Sequence, residues 1–227
     1  MNHKKIRNVV IFVFFVCLCI YAIHIYVSKS RIEDMQNVDL QNQYFDAEIS
    51  IPRTIQLEQG ELIELTFPLI TLQGMEADNA EDRAKEKYYV LIEQGIVPSD
   101  AYGNADGTVT LVFDAENLEL YIQMIENNFN SALGEGIDIN KTFTHIVYKV
   151  DDDSQFIDYG FRLTAVYCLS VTAQILMGTP CHDWEIRLTT MYEPNGTVMF
   201  EHILNEENNV NISKEEWLEK LQEAQGK

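Results

Sequence analysis

One apolar stretch constrains this chain more than any other feature of its 227 residues. The residues from Val9 to Val27 (VVIFVFFVCLCIYAIHIYV) include no Asp, Glu, Lys or Arg. As a helix this stretch would be about 28 Å long, close to the hydrocarbon thickness of a bilayer. Basic residues Lys4, Lys5 and Arg7 precede it, which favours a cytoplasmic N-terminus. We therefore predict a single-pass protein of the plasma membrane with residues 1–8 cytoplasmic, a transmembrane helix at 9–27 and an extracytoplasmic C-terminal part.

Besides a buried core helix, which the aromatic residues on every face of the run argue against, two other interpretations of this stretch are open. A signal peptide cleaved after Ser30 is one, although the apolar region of such peptides usually spans about 7 to 15 residues. A lipoprotein anchor is the other, but the residues before Cys17 and Cys19 are Phe15-Val16 and Cys17-Leu18 rather than small residues. The length of the run therefore favours a membrane helix that is retained.

The charge of the chain excludes one class of partner. The first 31 residues hold five basic and no acidic side chains, so the remaining 196 residues carry 11 basic and 36 acidic side chains, a net charge of −25. Nucleic acids need Lys and Arg to neutralise their phosphates. The sequence therefore predicts no nucleic-acid binding. Residues 28–44 are polar after the apolar run and are predicted to form a stalk.

Beyond the stalk, strand and helix patterns alternate. Period-two alternation predicts strands, and apolar spacings of three and four predict helices. The predicted elements are, in order, a strand at 63–67, a helix at 79–94 capped by Asp78, a strand at 108–113, a helix from Asp114 to 133, a strand at 143–150, a turn at 151–154, a returning strand at 155–159, a buried helix within 163–180, hairpin strands at 184–192 and 197–203, and a helix that begins after Ser213.

The run from Leu163 to Pro180 has no formal charge, and its length also suits a second membrane span. Its five Ser, Thr and Gln side chains favour a buried central helix instead. Strands that pair as hairpins late in the chain favour an α+β fold over a doubly wound one. We predict one α+β domain at 45–205, with a mixed or antiparallel sheet packed against helices, and a C-terminal helix within 206–227.

Three segments of the chain resemble one family. They are FPLITLQGMEADNAEDRAKEKYYVLIEQG, NADGTVTLVFDAENLELYIQMI and FTHIVYKVDDDSQF, the last followed by the uncharged helix. Their order and the short D-G-T-V-T segment resemble an uncharacterised family of membrane-anchored or lipoprotein cell-envelope proteins of Gram-positive bacteria. The resemblance covers residues 45–205 and implies a secreted or anchored α+β domain. It implies no activity.

Two cysteines, Cys168 and Cys181, lie outside the apolar stretch. Outside the cell they could pair as a disulfide, whereas a free buried thiol is ordinary in an apolar segment such as that of Cys168. Cys181-His182-Asp183 contains the residue types of a nucleophilic triad. In an extended segment, however, His182 points away from its two neighbours. His145 or His202 could assist Cys181 only if the fold brought them together.

No metal or cofactor site is predicted. Asp151, Asp153 and Asp158 have the oxygen ligands that calcium prefers, but Gln155 and Phe156 break the spacing of a calcium-binding loop. A solvated turn explains the run better. Tyr88, Tyr89, Tyr102, Tyr148 and Tyr159 are candidates for an aromatic binding face or for the core.

These observations predict no catalytic, cofactor-binding or metal-binding residues. They favour a non-catalytic, membrane-tethered module that binds an extracytoplasmic protein or another envelope component. The alternative is an envelope hydrolase that uses two of the many acidic residues, and a deep cleft holding carboxylates of raised pKa would favour it. A shallow, aromatic-lined surface would favour the binding module.

Overall fold

The computed structural model describes residues 44, 48–72, 75, 77–152 and 155–226, without the side chains of Ile157 and Asp158. The predicted transmembrane helix and most of the predicted stalk lie outside these residues. Residues Tyr44–Lys227 form one compact unit. Among the described residues, no helix is both long enough and apolar enough to cross a membrane.

The fold is α+β, with mixed and antiparallel sheets packed against helices. The elements are β1 (Ile63–Phe67), a short 3-10 helix (Leu69–Leu72), α1 (Ala80–Glu93), β2 (Asp100–Gly103), β3 (Val109–Phe113), α2 (Ala115–Ala132), β4 (Ile137–Ile139), β5 (His145–Val150), α3 (Gln155–Leu176), β6 (Ile186–Tyr192), β7 (Thr197–Leu204) and α4 (Lys214–Ala224). One sheet is antiparallel with the strand order β1-β3-β2. The other has the order β4-β5-β6-β7, in which β5 and β6 are parallel.

Helix α3 joins the two sheets. It contacts β1 of the three-stranded sheet, β5 and β6 of the four-stranded sheet, and helix α2. Its second half is buried continuously from Ser170 to Leu176, where Gln174 is held by donating hydrogen bonds to the carbonyls of Phe143 and Glu185 at 2.8 and 3.1 Å. The prediction of a buried central helix is therefore confirmed.

The capping residues of α1, α2 and α4 explain where these helices begin. Asp114 and Ser213 cap α2 and α4 as predicted, because their side chains accept the backbone N–H of Asn117 and Glu216. The cap of α1 is Asn79 rather than the predicted Asp78, and its side chain accepts the N–H of Asp82 at 2.9 Å. Both residue types are good caps, so the sequence alone does not distinguish them.

One predicted strand is wrong, and two strands were not predicted. Residues 155–159 form the first turns of α3, not a returning strand, because β5 pairs in parallel with β6 and a parallel pair needs a crossover. Neither β2, which lies between the predicted helix at 79–94 and the predicted strand at 108–113, nor β4 was predicted. Strands of four and three residues are too short for a period-two pattern to stand out.

Residues 48–53 run along helix α2. The backbone N–H of Ile49 donates to Asn130 Oδ1 at 3.0 Å, and that of Ile51 donates to Glu126 Oε1 at 2.7 Å. Arg53 forms ion pairs with Glu119 and Glu126. This segment covers part of the core, because both isoleucine side chains are almost fully buried.

Candidate functional site

A groove of about 820 Å³ lies between the first half of α3 and the segment that precedes α4. We call it the α3 groove. One wall is formed by α3, with side chains spaced by three and four residues, and the other by the chain that leaves β7. The α3 wall includes Phe156, Tyr159, Gly160, Phe161, Leu163, Thr164, Tyr167 and Cys168, and the opposite wall includes Leu204, Asn209, Val210, Asn211 and Ile212.

Aromatic packing fixes the floor of the α3 groove. The ring of Tyr159 lies 5.1 Å from that of Tyr148 and 4.9 Å from that of Trp217, and Phe156 lies 5.6 Å from Trp217. Burial raises the pKa of Tyr159, whose hydroxyl accepts a hydrogen bond from Thr190 Oγ1. Phe161, by contrast, is 78 % exposed and is the most exposed large apolar side chain in the described part of the chain.

Most backbone groups of the opposite wall have no hydrogen-bond partner among the residues that the structure describes. Val210 and Ile212 pack against the core, while Asn209 and Asn211 are exposed, which is the alternation of an extended segment. The N–H of Val210 donates to Asn209 Oδ1 at 3.1 Å. The other backbone N–H and C=O groups of residues 209–212 form no hydrogen bond with any residue that the structure describes.

A second cavity, of about 310 Å³, adjoins the α3 groove and shares Tyr167 and Asn209 with it. Glu206 and Glu207 are among its lining residues, so the acidic end of the combined site lies here. Trp184 also lines it, and its buried indole N–H has no acceptor among the described residues.

His182 stands beside this acidic end. Its Nδ1 lies 2.6 Å from Glu206 Oε1, and its Nε2 lies 3.4 Å from Asp106 Oδ2. The hydrogen bond to Glu206 is the main cause of a raised pKa for His182, and the charges of Glu206 and Asp106 add to it. The imidazole therefore links two carboxylates from separate loops.

The Cys181-His182-Asp183 triplet is not arranged for nucleophilic chemistry. The partners of His182 are Glu206 and Asp106, and Cys181 Sγ forms no hydrogen bond with a described residue. Burial, followed by the charges of Asp106 and Glu206, raises the pKa of the Cys181 thiol. A nucleophilic cysteine needs the opposite shift.

Neither of the other two histidines assists Cys181. His145 shares hydrogen bonds with the Tyr44 hydroxyl at 2.9 Å and with Thr189 Oγ1 at 3.0 Å, and burial lowers its pKa. His202 is partly buried, and its ring stacks on Phe200 with the centroids 6.1 Å apart. His145 thus joins Tyr44 to β6, which is a structural role.

Both cysteines outside the apolar stretch are free thiols in this structure. Cys168 donates its S–H to the carbonyl of Ile70 at 3.1 Å, and burial raises its pKa to about 11. Within the described residues, no group of three or more His, Cys, Asp or Glu side chains is placed to hold a metal ion. The predicted turn at 151–154 is only partly described, since residues 153 and 154 lie outside the described ranges.

The candidate tyrosines occupy different places. Tyr159 lines the α3 groove, whereas Tyr148 is buried beneath it. Tyr88 and Tyr89 line a separate hollow of about 150 Å³, and the Tyr102 hydroxyl donates to Glu64 Oε2 at 3.0 Å. The sequence did not reveal Phe161 or the wall at 209–212, because the run Asn208 to Asn211 looks like an ordinary polar loop.

Comparisons of this chain with protein-family models, with curated proteins and with solved structures found no match.

Proposed function

We propose that this chain is a non-catalytic binding module of the cell envelope that recognises a partner through the α3 groove. The observation that carries the proposal is the lining of the groove. Aromatic and aliphatic side chains face an open volume of about 820 Å³, and the described lining residues include no acidic or basic side chain. Apolar walls with a few polar amide groups are typical of sites that bind a ligand.

The alternative function, an acid-dependent envelope hydrolase, would need two carboxylates in a cleft. The carboxylates whose pKa is shifted in the described part of the chain are all shifted downwards, mainly by hydrogen bonds from Asn79, Thr108, Asn117 and Arg53 to Asp82, Asp106, Asp114 and Glu119 respectively. A general acid needs a raised pKa. We therefore favour binding.

The membrane tether and the envelope location are part of the same proposal, and their support is in the sequence. They rest on the apolar run at 9–27, its basic N-terminal flank and the family resemblance. Protease added to intact cells, or to protoplasts, is expected to remove the chain beyond about Arg31. Protection of the C-terminal part from the protease would contradict this orientation.

Site-specific photo-crosslinking in native membranes tests the groove. A photoreactive side chain replaces Phe161 in one protein and Tyr89 in a matched control. Both residues are exposed aromatics on helices, at 78 % and 65 %, but Tyr89 lies outside the α3 groove. We expect a discrete crosslinked product from position 161 only. Identical products from both positions would show that the groove is not the binding site.

A further inference from the structure

We infer that the partner of the α3 groove is an extended polypeptide, which pairs as an added strand with the backbone of residues 209–212 and directs a basic residue towards Glu206 and Glu207. The inference rests on the proposed function, because it names the chemistry of the partner at the same site. Three features of the two cavities support it.

The first feature is the unpaired backbone. Almost all backbone polar groups of folded proteins have a hydrogen-bond partner. Apart from the Val210 N–H, the backbone groups of residues 209–212 have none among the residues that the structure describes, so a ligand can supply it. An acyl chain or an aromatic molecule offers no row of donors and acceptors. A peptide strand offers both donors and acceptors, and their spacing matches that of the backbone groups in the segment that the strand joins.

The second feature is the alternation along the wall. Val210 and Ile212 are partly buried and pack against the core, so their side of the segment is fixed before any partner arrives. A strand laid beside it would turn alternate side chains towards the apolar floor and the others towards solvent. The ring of Phe161, which is exposed on the α3 wall of the groove, would then cover apolar side chains of the bound strand.

The third feature is the distribution of charge. The described lining of the α3 groove is uncharged, and Glu206 and Glu207 stand in the adjoining cavity. The residues beyond Arg31 carry a net charge of −25, which attracts a basic segment and repels an anionic lipid or a second copy of this chain. Charge complementarity therefore favours a peptide that has Lys or Arg next to its apolar segment, so that the basic side chain lies near Glu206 and Glu207.

The test uses the full chain in nanodiscs of uncharged lipid. The probe is a pool of short synthetic peptides with random apolar residues at alternate positions and a lysine at either end. Peptides that bind are made again with N-methyl groups on one or the other alternating set of backbone nitrogens. We expect methylation of one set to weaken binding about tenfold or more, and methylation of the other set to have little effect.

Protein variants complete the test. Phe161→Ala is expected to weaken binding about tenfold, Tyr89→Ala to leave it unchanged, and the double variant Glu206→Gln, Glu207→Gln to weaken binding several-fold and reduce its dependence on salt. Thermal unfolding confirms that each variant is folded.

Two outcomes would overturn the inference in different ways. Binding that needs Phe161 but tolerates N-methylation of both sets would overturn the added strand and leave the groove as a binding site. If no peptide binds while position 161 still gives a specific crosslink, the groove has a partner that is not an extended peptide. The loss of that crosslink as well would overturn the proposed function itself.

Discussion

At the scale of single residues, Gly103 shows how closely two elements approach. A Cβ atom at this position would lie 2.2 Å from the carbonyl carbon of Ala80 and 2.3 Å from the backbone nitrogen of Glu81. Its φ is not in the left-handed region, so space alone requires glycine. Strand β2 can therefore meet the start of α1 only because residue 103 has no side chain.

Gly103→Ala is expected to destabilise the fold by about 1 to 3 kcal/mol, because the backbone of α1 would have to shift. Gly160→Ala is the matched control. It lies inside α3 with open space around its Cβ position, so it should stabilise by about 0.5 to 1 kcal/mol. Urea unfolding followed by tryptophan fluorescence measures both. Equal effects of the two substitutions would argue against the close contact.

His182 should make stability depend on pH. Its folded-state pKa is raised above 6.5, first by the hydrogen bond to Glu206. A raised pKa adds stability that is fully present below about pH 6.5 and is lost as the pH rises through the folded-state value. We expect His182→Gln to remove this dependence. Because the side chain is half exposed, the difference should be at most about 1 kcal/mol.

Unfolding of the wild type and of His182→Gln by urea, at several values between pH 6 and pH 9, gives the measurement. The stability difference between the two proteins should shrink as the pH increases. A difference that stays constant over this range would mean that the ion pairs with Glu206 and Asp106 add no stability.

At the scale of elements, α4 is attached to the domain by a buried face whose largest side chain is Trp217. Trp217 is fully buried, and its ring contacts Phe156, Tyr159 and Phe200. Asn195 also donates its side-chain N–H to the carbonyl of Ala224 at 2.8 Å. Because Phe156 and Tyr159 line the α3 groove, α4 supports the floor of the candidate site.

Trp217→Ala is expected to cost about 3 to 5 kcal/mol, since it leaves a large cavity among aromatic rings. Glu219→Ala, an exposed position on the same helix, should change stability by less than about 0.5 kcal/mol. Circular dichroism during urea unfolding follows both proteins. If the two changes had similar effects, α4 would not be a structural support for the groove.

The elements also show what periodicity can and cannot predict. The alternation of β6 and β7 and the Asn195-Gly196 turn predicted a hairpin, and the structure confirms it. The segment from Gln155 to Tyr159 was misassigned because five residues after a turn fit either a strand or the first turns of a helix. Its true state depends on the parallel pairing of β5 with β6, which is a long-range property.

At the scale of the whole molecule, the segment 48–53 closes the domain against α2. Ile49 and Ile51 are buried, and their backbone N–H groups are bound by Asn130 and Glu126. Tyr44, which was predicted to end the stalk, forms a bridge with Asn140 and a hydrogen bond with His145. These contacts tie the start of the described chain to both a helix and a sheet.

A chain of residues 44–227 is therefore expected to fold alone, and a chain of residues 54–227 to be less stable by roughly 3 to 6 kcal/mol, the loss expected from two buried isoleucines. Urea unfolding followed by tryptophan fluorescence compares them, since both tryptophans remain. Identical midpoints would show that the segment is not part of the folded core.

The fold class could be predicted because buried faces leave repeating patterns in the sequence. The candidate site could not be predicted from the sequence, because its two main features, the backbone of residues 209–212 and the exposed ring of Phe161, leave no repeating pattern. No sequence pattern marks backbone groups that lack partners among the described residues, or a phenylalanine that is left exposed on a helix with many buried apolar residues. Both depend on how α3 and residues 209–212 come together in space.

The parallel pair β5 and β6 has a consequence for the synthesis of this chain. The three-stranded sheet is complete once Phe113 has been made, whereas β5 has to wait for α3 and then for β6 up to Tyr192. At typical translation speeds that interval lasts roughly 2 to 8 s. We expect arrested nascent chains ending near residue 180 to be cleaved by protease within β5, and chains ending after β7 to resist it. During this interval the backbone groups on the β6-facing edge of β5 remain unpaired, and a strand other than β6 can pair with them.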